Sequence, residues 1–107
     1  MIRVTALYPQ TEGSHFDMEY YLGKHMPMVA ARLAAHGMVR GEVDAGLAGL
    51  APGAPAPYVA VGYLIFETLE GFQQGLAAHG PEILGDIPNY TNIEPILQIS
   101  RIALDGK

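Results

Sequence analysis

The side chains best suited to proton transfer fall in two short stretches of the 107-residue chain, Phe16–Met28 (FDMEYYLGKHMPM) and Asp86–Thr91 (DIPNYT). His25 leads among them. Histidine takes and gives a proton near neutral pH, and general acid–base work is worth roughly 10²–10⁴-fold in rate. Tyr21 precedes His25 by four residues, so on a helix the two share a face and Tyr21 can orient the imidazole or bond a substrate oxygen. Asp86 is the candidate carboxylate for holding that imidazole in one tautomer. Each has a plainer alternative. His25 can bond a carbonyl freed near Pro27, Tyr21 can be a core aromatic, and Asp86 can cap its own turn before Pro88.

The local sequence says how these groups would be positioned. Pro27 has no N–H to give the carbonyl of Gly23 and crowds it, and the residue before a proline is biased away from α geometry. A helix from about Asp17 to Ala35 is therefore expected to bend at Pro27. That places His25 at the bend, on an apolar face with Met18, Tyr21, Met28 and Val29, while Tyr20 packs against a sheet. Ser14 or Asp17 is the expected N-cap, and Gly37 the left-handed C-cap.

Elsewhere, alternation marks Ile2–Tyr8 as a strand, with Ile2, Val4, Ala6 and Tyr8 on one face. Met38–Asp44 is a second extended segment. Ala45–Pro57 (AGLAGLAPGAPAP) is a Gly/Ala/Pro-rich loop of hairpin type whose apolar bias suits closing over a pocket. Tyr58–Phe66 (YVAVGYLIF) is the strongest strand, and Gly62 at its centre marks a close approach to the backbone. Thr68 caps a helix from Leu69 to about Ala78, ended by His79-Gly80-Pro81. A last strand runs from Glu94/Pro95 to Leu104. The order β-α-β-β-α-β is the ferredoxin-like α+β arrangement, an antiparallel four-stranded sheet with both helices on one face. Met28, Tyr63, Phe66 and Tyr90 are candidate substrate-lining residues, with core packing or, for Tyr90, a dimer seam as the alternative.

Composition excludes several classes of function. Half the residues are hydrophobic and 16% are charged, against about 25% charged in ordinary soluble domains. One domain is expected at this length. The third and fourth strands are apolar on both faces and the two helices cover only one side of the sheet, so the chain is expected to hide the other face in a homodimer. A formal charge of −5 argues against a nucleic-acid footprint. No apolar run is long enough for a membrane span, and the N-terminus reads as a strand rather than a signal peptide, so the expected location is cytoplasmic. With no cysteine, thiolate chemistry and zinc–cysteine sites drop out. His25 and His36 share a helical face but lie about 16 Å apart along the axis, too far for one ion. No metal or cofactor is expected. His36 and His79, each before a glycine, read as helix C-terminal residues.

Phe16, Tyr20-Tyr21, His25 and Pro27, followed by Asp86-Ile-Pro-Asn-Tyr90-Thr91, resemble the EthD family, named for ethyl tert-butyl ether degradation, within the dimeric α+β barrel superfamily. The resemblance runs from about Ile2 to Ile102. It implies a homodimeric barrel and a link to oxidoreductases. Relatives in natural-product pathways look like cofactor-free dehydratases, decarboxylases or cyclases acting on aromatic or polyketide substrates. Two functions follow as expectations. One is a catalyst on a small hydrophobic carbonyl-bearing molecule, with His25 as acid/base, Tyr21 as donor and Asp86 as orienting carboxylate. The other is a binding protein that sequesters or delivers a hydrophobic intermediate.

Overall fold

The structure, a computed structural model, describes residues 1–106. Four strands, β1 (Ile2–Pro9), β2 (Met38–Ala45), β3 (Tyr58–Phe66) and β4 (Ile96–Arg101), form one antiparallel sheet in the order β2-β3-β1-β4. Two helices pack on one face of it, giving the ferredoxin-like α+β fold. Alternation places Val4, Ala6 and Tyr8 of β1 beside Leu64, Gly62 and Ala60 of β3 on the helix side. The segment 46–57 is the expected loop. Its Leu47 and Leu50 are fully exposed.

The first helix covers residues 18–36 and does not break at Pro27. The Asp17 carboxylate caps it by accepting the Tyr20 N–H at 3.1 Å. An α turn, Met18–Tyr20, leads into a π turn, Tyr21–His25, then into α-helix Met26–Leu33 and a 3₁₀ turn, Ala34–His36, closed by Gly37 at φ 90°. The expected bend is thus replaced by a widened turn just before the proline. Met26 keeps α geometry and its N–H reaches back to the Tyr21 carbonyl. The ladder absorbs the missing Pro27 donor by taking in an extra residue, the usual form of a π-bulge.

The second helix, Leu69–Gly85, is capped by Thr68, whose hydroxyl oxygen accepts the Gly71 N–H at 3.0 Å. It also passes through its proline, where an end near Ala78 was expected. Pro81 costs one bond to the carbonyl of Ala77. Burial of Phe72 before it and Ile83 after it keeps both halves in line.

Two buried clusters fill the space between helices and sheet. One is mainly aliphatic: Val4, Val29, Leu33, Phe66, Phe72 and Ile83. The other is mainly aromatic, built on Tyr8, Tyr21, Ala60, Tyr90 and Ile93 with Phe16 and Tyr20 against it. The outer sheet face is less greasy than expected. It carries Arg3, Glu42, Asp44 and Tyr63 among its apolar residues, and Ile65 there is already buried. The exposed large apolar side chains of the sheet lie on its two edge strands, Val39 on β2 and Ile96, Leu97 and Ile99 on β4, each about half exposed.

Candidate active site

His25 sits at the end of the π turn, 5% exposed, with its ring stacked on Tyr21 at 5.5 Å and 14°. Tyr90 tilts against both rings, its centroid 4.7 Å from that of His25 and 5.0 Å from that of Tyr21. The segment that supplies Asp86 and Tyr90 is sewn to the start of the first helix. The Asp17 N–H donates to the Tyr90 carbonyl at 2.7 Å, the Thr91 hydroxyl to the His15 carbonyl at 2.6 Å, and the His15 N–H to Asn92 Oδ1 at 3.0 Å. These bonds bring residues more than sixty positions apart onto one imidazole.

Asp86 receives it. Its Oδ2 lies 2.9 Å from His25 Nδ1. Its Oδ1 accepts the Tyr20 hydroxyl at 2.7 Å and the Asn89 side-chain amide at 2.9 Å. Burial works against the charge on this carboxyl, but the bonds from Tyr20, Asn89 and His25 outweigh it and hold the group below its ordinary range. An ionised carboxylate at Nδ1 selects the Nδ1–H tautomer, assigned here from the bonding network. Nε2 is then left with a free lone pair and no hydrogen-bond partner among the described residues.

Tyr8 and Tyr90 share a hydroxyl–hydroxyl bond of 2.7 Å. The Tyr21 hydroxyl stands beside them, pressed against β3 where Gly62 leaves room; a Cβ at Gly62 would collide with that oxygen. The close approach expected at Gly62 is therefore the tip of Tyr21. Burial first, and then neighbouring hydroxyls, push Tyr8 and Tyr21 far above the usual tyrosine range; burial does the same for Tyr90. All three stay neutral and able to donate.

A cavity of about 90 Å³ lies between helices and sheet, bordered by His25, Tyr21 and Tyr8. The rest of its lining is almost wholly apolar: Val4, Ala6 and Leu64 from the sheet, Met26 and Val29 from the first helix, Phe72, Leu76 and Ile83 from the second. Leu84, Pro95 and Leu97 also border it, and Leu84 and Leu97 are half exposed.

The structure thus brings His25, Tyr21, Asp86 and Tyr90 together. It places three other expected residues elsewhere. Phe66 is fully buried in the aliphatic cluster, and Met28 packs against that cluster. Tyr63 faces the opposite side of the sheet, donating to Asp44 Oδ2 at 2.9 Å beneath the Arg3 guanidinium. Alternation turns Tyr63 to the outer face and helix phase turns Met28 aside, while Phe66, on the helix side opposite Ile2, is taken up by packing in the aliphatic cluster. Tyr90 is 1% exposed within the single chain, which removes it from any dimer seam. Tyr20 is on Asp86 rather than on the sheet. Tyr8 is a site residue that the sequence reading left as a strand residue. Its phase with Val4 and Ala6 was the available signal.

A ferredoxin-like domain with a buried histidine–aspartate pair opening on an apolar cavity is the class of protein that fold and site define. The comparisons sharpen this. An EthD-like protein from Ralstonia eutropha JMP134 is 48% identical, with a TM-score of 0.92 over 98% of this chain and 94% of its own. The chain belongs to the EthD family. A dimeric ferredoxin-like protein from an uncultured marine organism shares the fold at 10% identity and TM-score 0.62, covering 99% and 97%. SnoaB of Streptomyces nogalater, a cofactor-independent oxygenase, does so at 17% and 0.50, covering 98% and 96%. No family profile and no curated protein sequence matches the chain. Among the described residues no helix is long and apolar enough to cross a membrane.

Proposed function

We propose that the protein is an acid–base catalyst acting on a small hydrophobic molecule that carries a carbonyl group. The observation that carries this reading is the 2.9 Å bond between His25 Nδ1 and Asp86 Oδ2 at the wall of an otherwise apolar cavity. His25 Nε2 takes a proton from the carbon next to the carbonyl, and Asp86 stabilises the imidazolium that forms. The Tyr21 and Tyr8 hydroxyls, kept neutral, donate to the carbonyl oxygen as negative charge gathers on it. Returning the proton to another atom completes an isomerisation, a cyclisation or an elimination. The fold shared with a cofactor-independent oxygenase is compatible with chemistry of this kind.

Exchange of the α-protons of 2-butanone into D₂O, followed by NMR, tests the central step without knowledge of the natural substrate. The protein should accelerate exchange, and His25→Ala should lower the rate by roughly 10²–10⁴-fold while the melting temperature stays close to that of the parent. Exchange that survives His25→Ala overturns the mechanism and returns the cavity to a carrier role.

The same reading includes a homodimer. The half-exposed Ile96, Leu97 and Ile99 on the unpaired edge strand β4 form an apolar edge that favours self-association. The fold shared with a protein described as dimeric is consistent with it. Light scattering at micromolar concentration should give twice the chain mass; a stable monomer removes this part.

A further inference from the structure

Met26 belongs to two spaces at once. Its side chain walls the cavity beside His25, and it also walls a groove of about 330 Å³ on the other side of the first helix. The groove runs between that helix and β2. Leu22, Pro27 and Ala30 form one bank, and Met38, Gly41 and Val43 the other. Among the described residues Glu42 is the one ionisable side chain that borders it, and its carboxylate accepts the Arg40 Nε–H at 2.7 Å. The register turns Glu42, paired with Tyr63, toward the outer face of the sheet.

The partition between the spaces is thin and soft. A Cβ added at Gly41 would lie 3.1 Å from Cε of Met26 and 3.2 Å from Cε of Met38, so two thioether ends converge over a bare backbone. Methionine has three rotatable bonds and adapts to what it meets. The π turn ends at the residue before Met26, and such turns recur at functional sites. The cavity itself is small, about 90 Å³, below the 150 Å³ or so of an engineered cavity that holds benzene. It suits a carbonyl group and a few carbons.

We infer that cavity and groove are two halves of one ligand site, gated by Met26, and that the ligand carries its carbonyl at one end of a flexible apolar chain. This rests on the reading of His25 as the base only in placing the carbonyl end. The groove takes the tail. Met26 and Gly41 set the tail length that is accepted, and Ala30, exposed on the groove bank, is the position from which it can be blocked.

Binding of the 2-alkanones from 2-butanone to 2-nonanone, measured by NMR titration, reads this out apart from catalysis. Affinity should rise about fourfold per added methylene, the factor expected for a buried CH₂, and the longer ketones should shift the amide signals of Ala30 and Val43. Ala30→Phe and Gly41→Ala should each abolish the gain beyond 2-pentanone. Met26→Ala should preserve it or steepen it. His25→Ala should keep the length dependence, so a failed proton-exchange assay and a failed length series are separate outcomes. Affinity that levels off at 2-pentanone in the parent protein, or that is unmoved by Ala30→Phe, overturns the inference.

Discussion

The two clusters that fill the layer between helices and sheet differ in what they demand of their residues. The aliphatic one, around Val29, Leu33 and Phe66, needs only volume and water exclusion. The aromatic one also needs direction, because each of its tyrosine oxygens must meet a partner or the cavity. Tyr8 finds Tyr90, Tyr20 finds Asp86, and Tyr21 is seated by Gly62. The cavity opens where the two meet, with Val4 and Val29 from one side and Tyr8 and Tyr21 from the other. On the proposed mechanism, an apolar floor sharpens proton transfer at His25 electrostatically, since charges and dipoles act strongly where water is scarce. The polar wall supplies the direction that oil alone lacks.

Breaking each cluster should therefore fail in a different way. Phe66→Ala removes a fully buried ring that meets Phe72 edge-on at 5.3 Å, and should destabilise the fold by about 3–5 kcal/mol. Denaturant unfolding measures it. The His25–Asp86 bond has no contact with that ring, so proton exchange by the folded fraction should hold. Loss of exchange in proportion greater than loss of fold would show that the clusters are one unit.

The middle-sized effect lies at the boundary. Gly62→Ala puts a methyl group where the Tyr21 hydroxyl now rests, an overpacking that typically costs about 1–3 kcal/mol. Removing the oxygen relieves it, so Tyr21→Phe combined with Gly62→Ala should recover most of the stability that Gly62→Ala loses. A double-mutant cycle with no coupling would mean that the hydroxyl is not held against the sheet.

How much of this was legible in the sequence follows the same division. Strand phase and the Gly37 and Thr68 caps are local rules, and they placed the sheet and the start and end of each helix within a few residues, the end of the second excepted. The Tyr21–His25 spacing survives the π turn, and the pause at Gly62 foretold a close approach. What escaped was whatever depends on long-range partners. Helix continuity through Pro27 and Pro81 is a tertiary effect, since packing of Val29, Leu33, Phe72 and Ile83 outweighs a lost backbone bond. Tyr20 was assigned to the sheet, and Tyr90 to a cavity wall or a dimer seam, because nothing near them in the chain announces Asp86 or Tyr8. The aliphatic half was readable as pattern, whereas the aromatic half is a set of pairings across 61 to 82 residues.

The smallest effect is a pH dependence confined to the polar wall. Asp86 is held below the ordinary carboxylate value of 3.8 in the folded chain, so the unfolded chain binds its proton first as pH falls. Its contribution to stability is fully present above that value and disappears as pH drops through the lowered folded value. Asp86→Asn cannot be protonated there, so its melting temperature should fall less steeply between pH 4 and 2 than the parent's, although it starts lower at pH 7. Asparagine still accepts from Tyr20 through its oxygen, which limits the neutral-pH loss to about one hydrogen bond, about 1 kcal/mol. Phe66→Ala, by contrast, should displace the whole acid profile downward without altering its slope. Parallel acid slopes for the parent and Asp86→Asn would mean that the carboxyl's three donors hold no more of its charge when folded than water does when unfolded, and the directional half of the layer would reduce to packing.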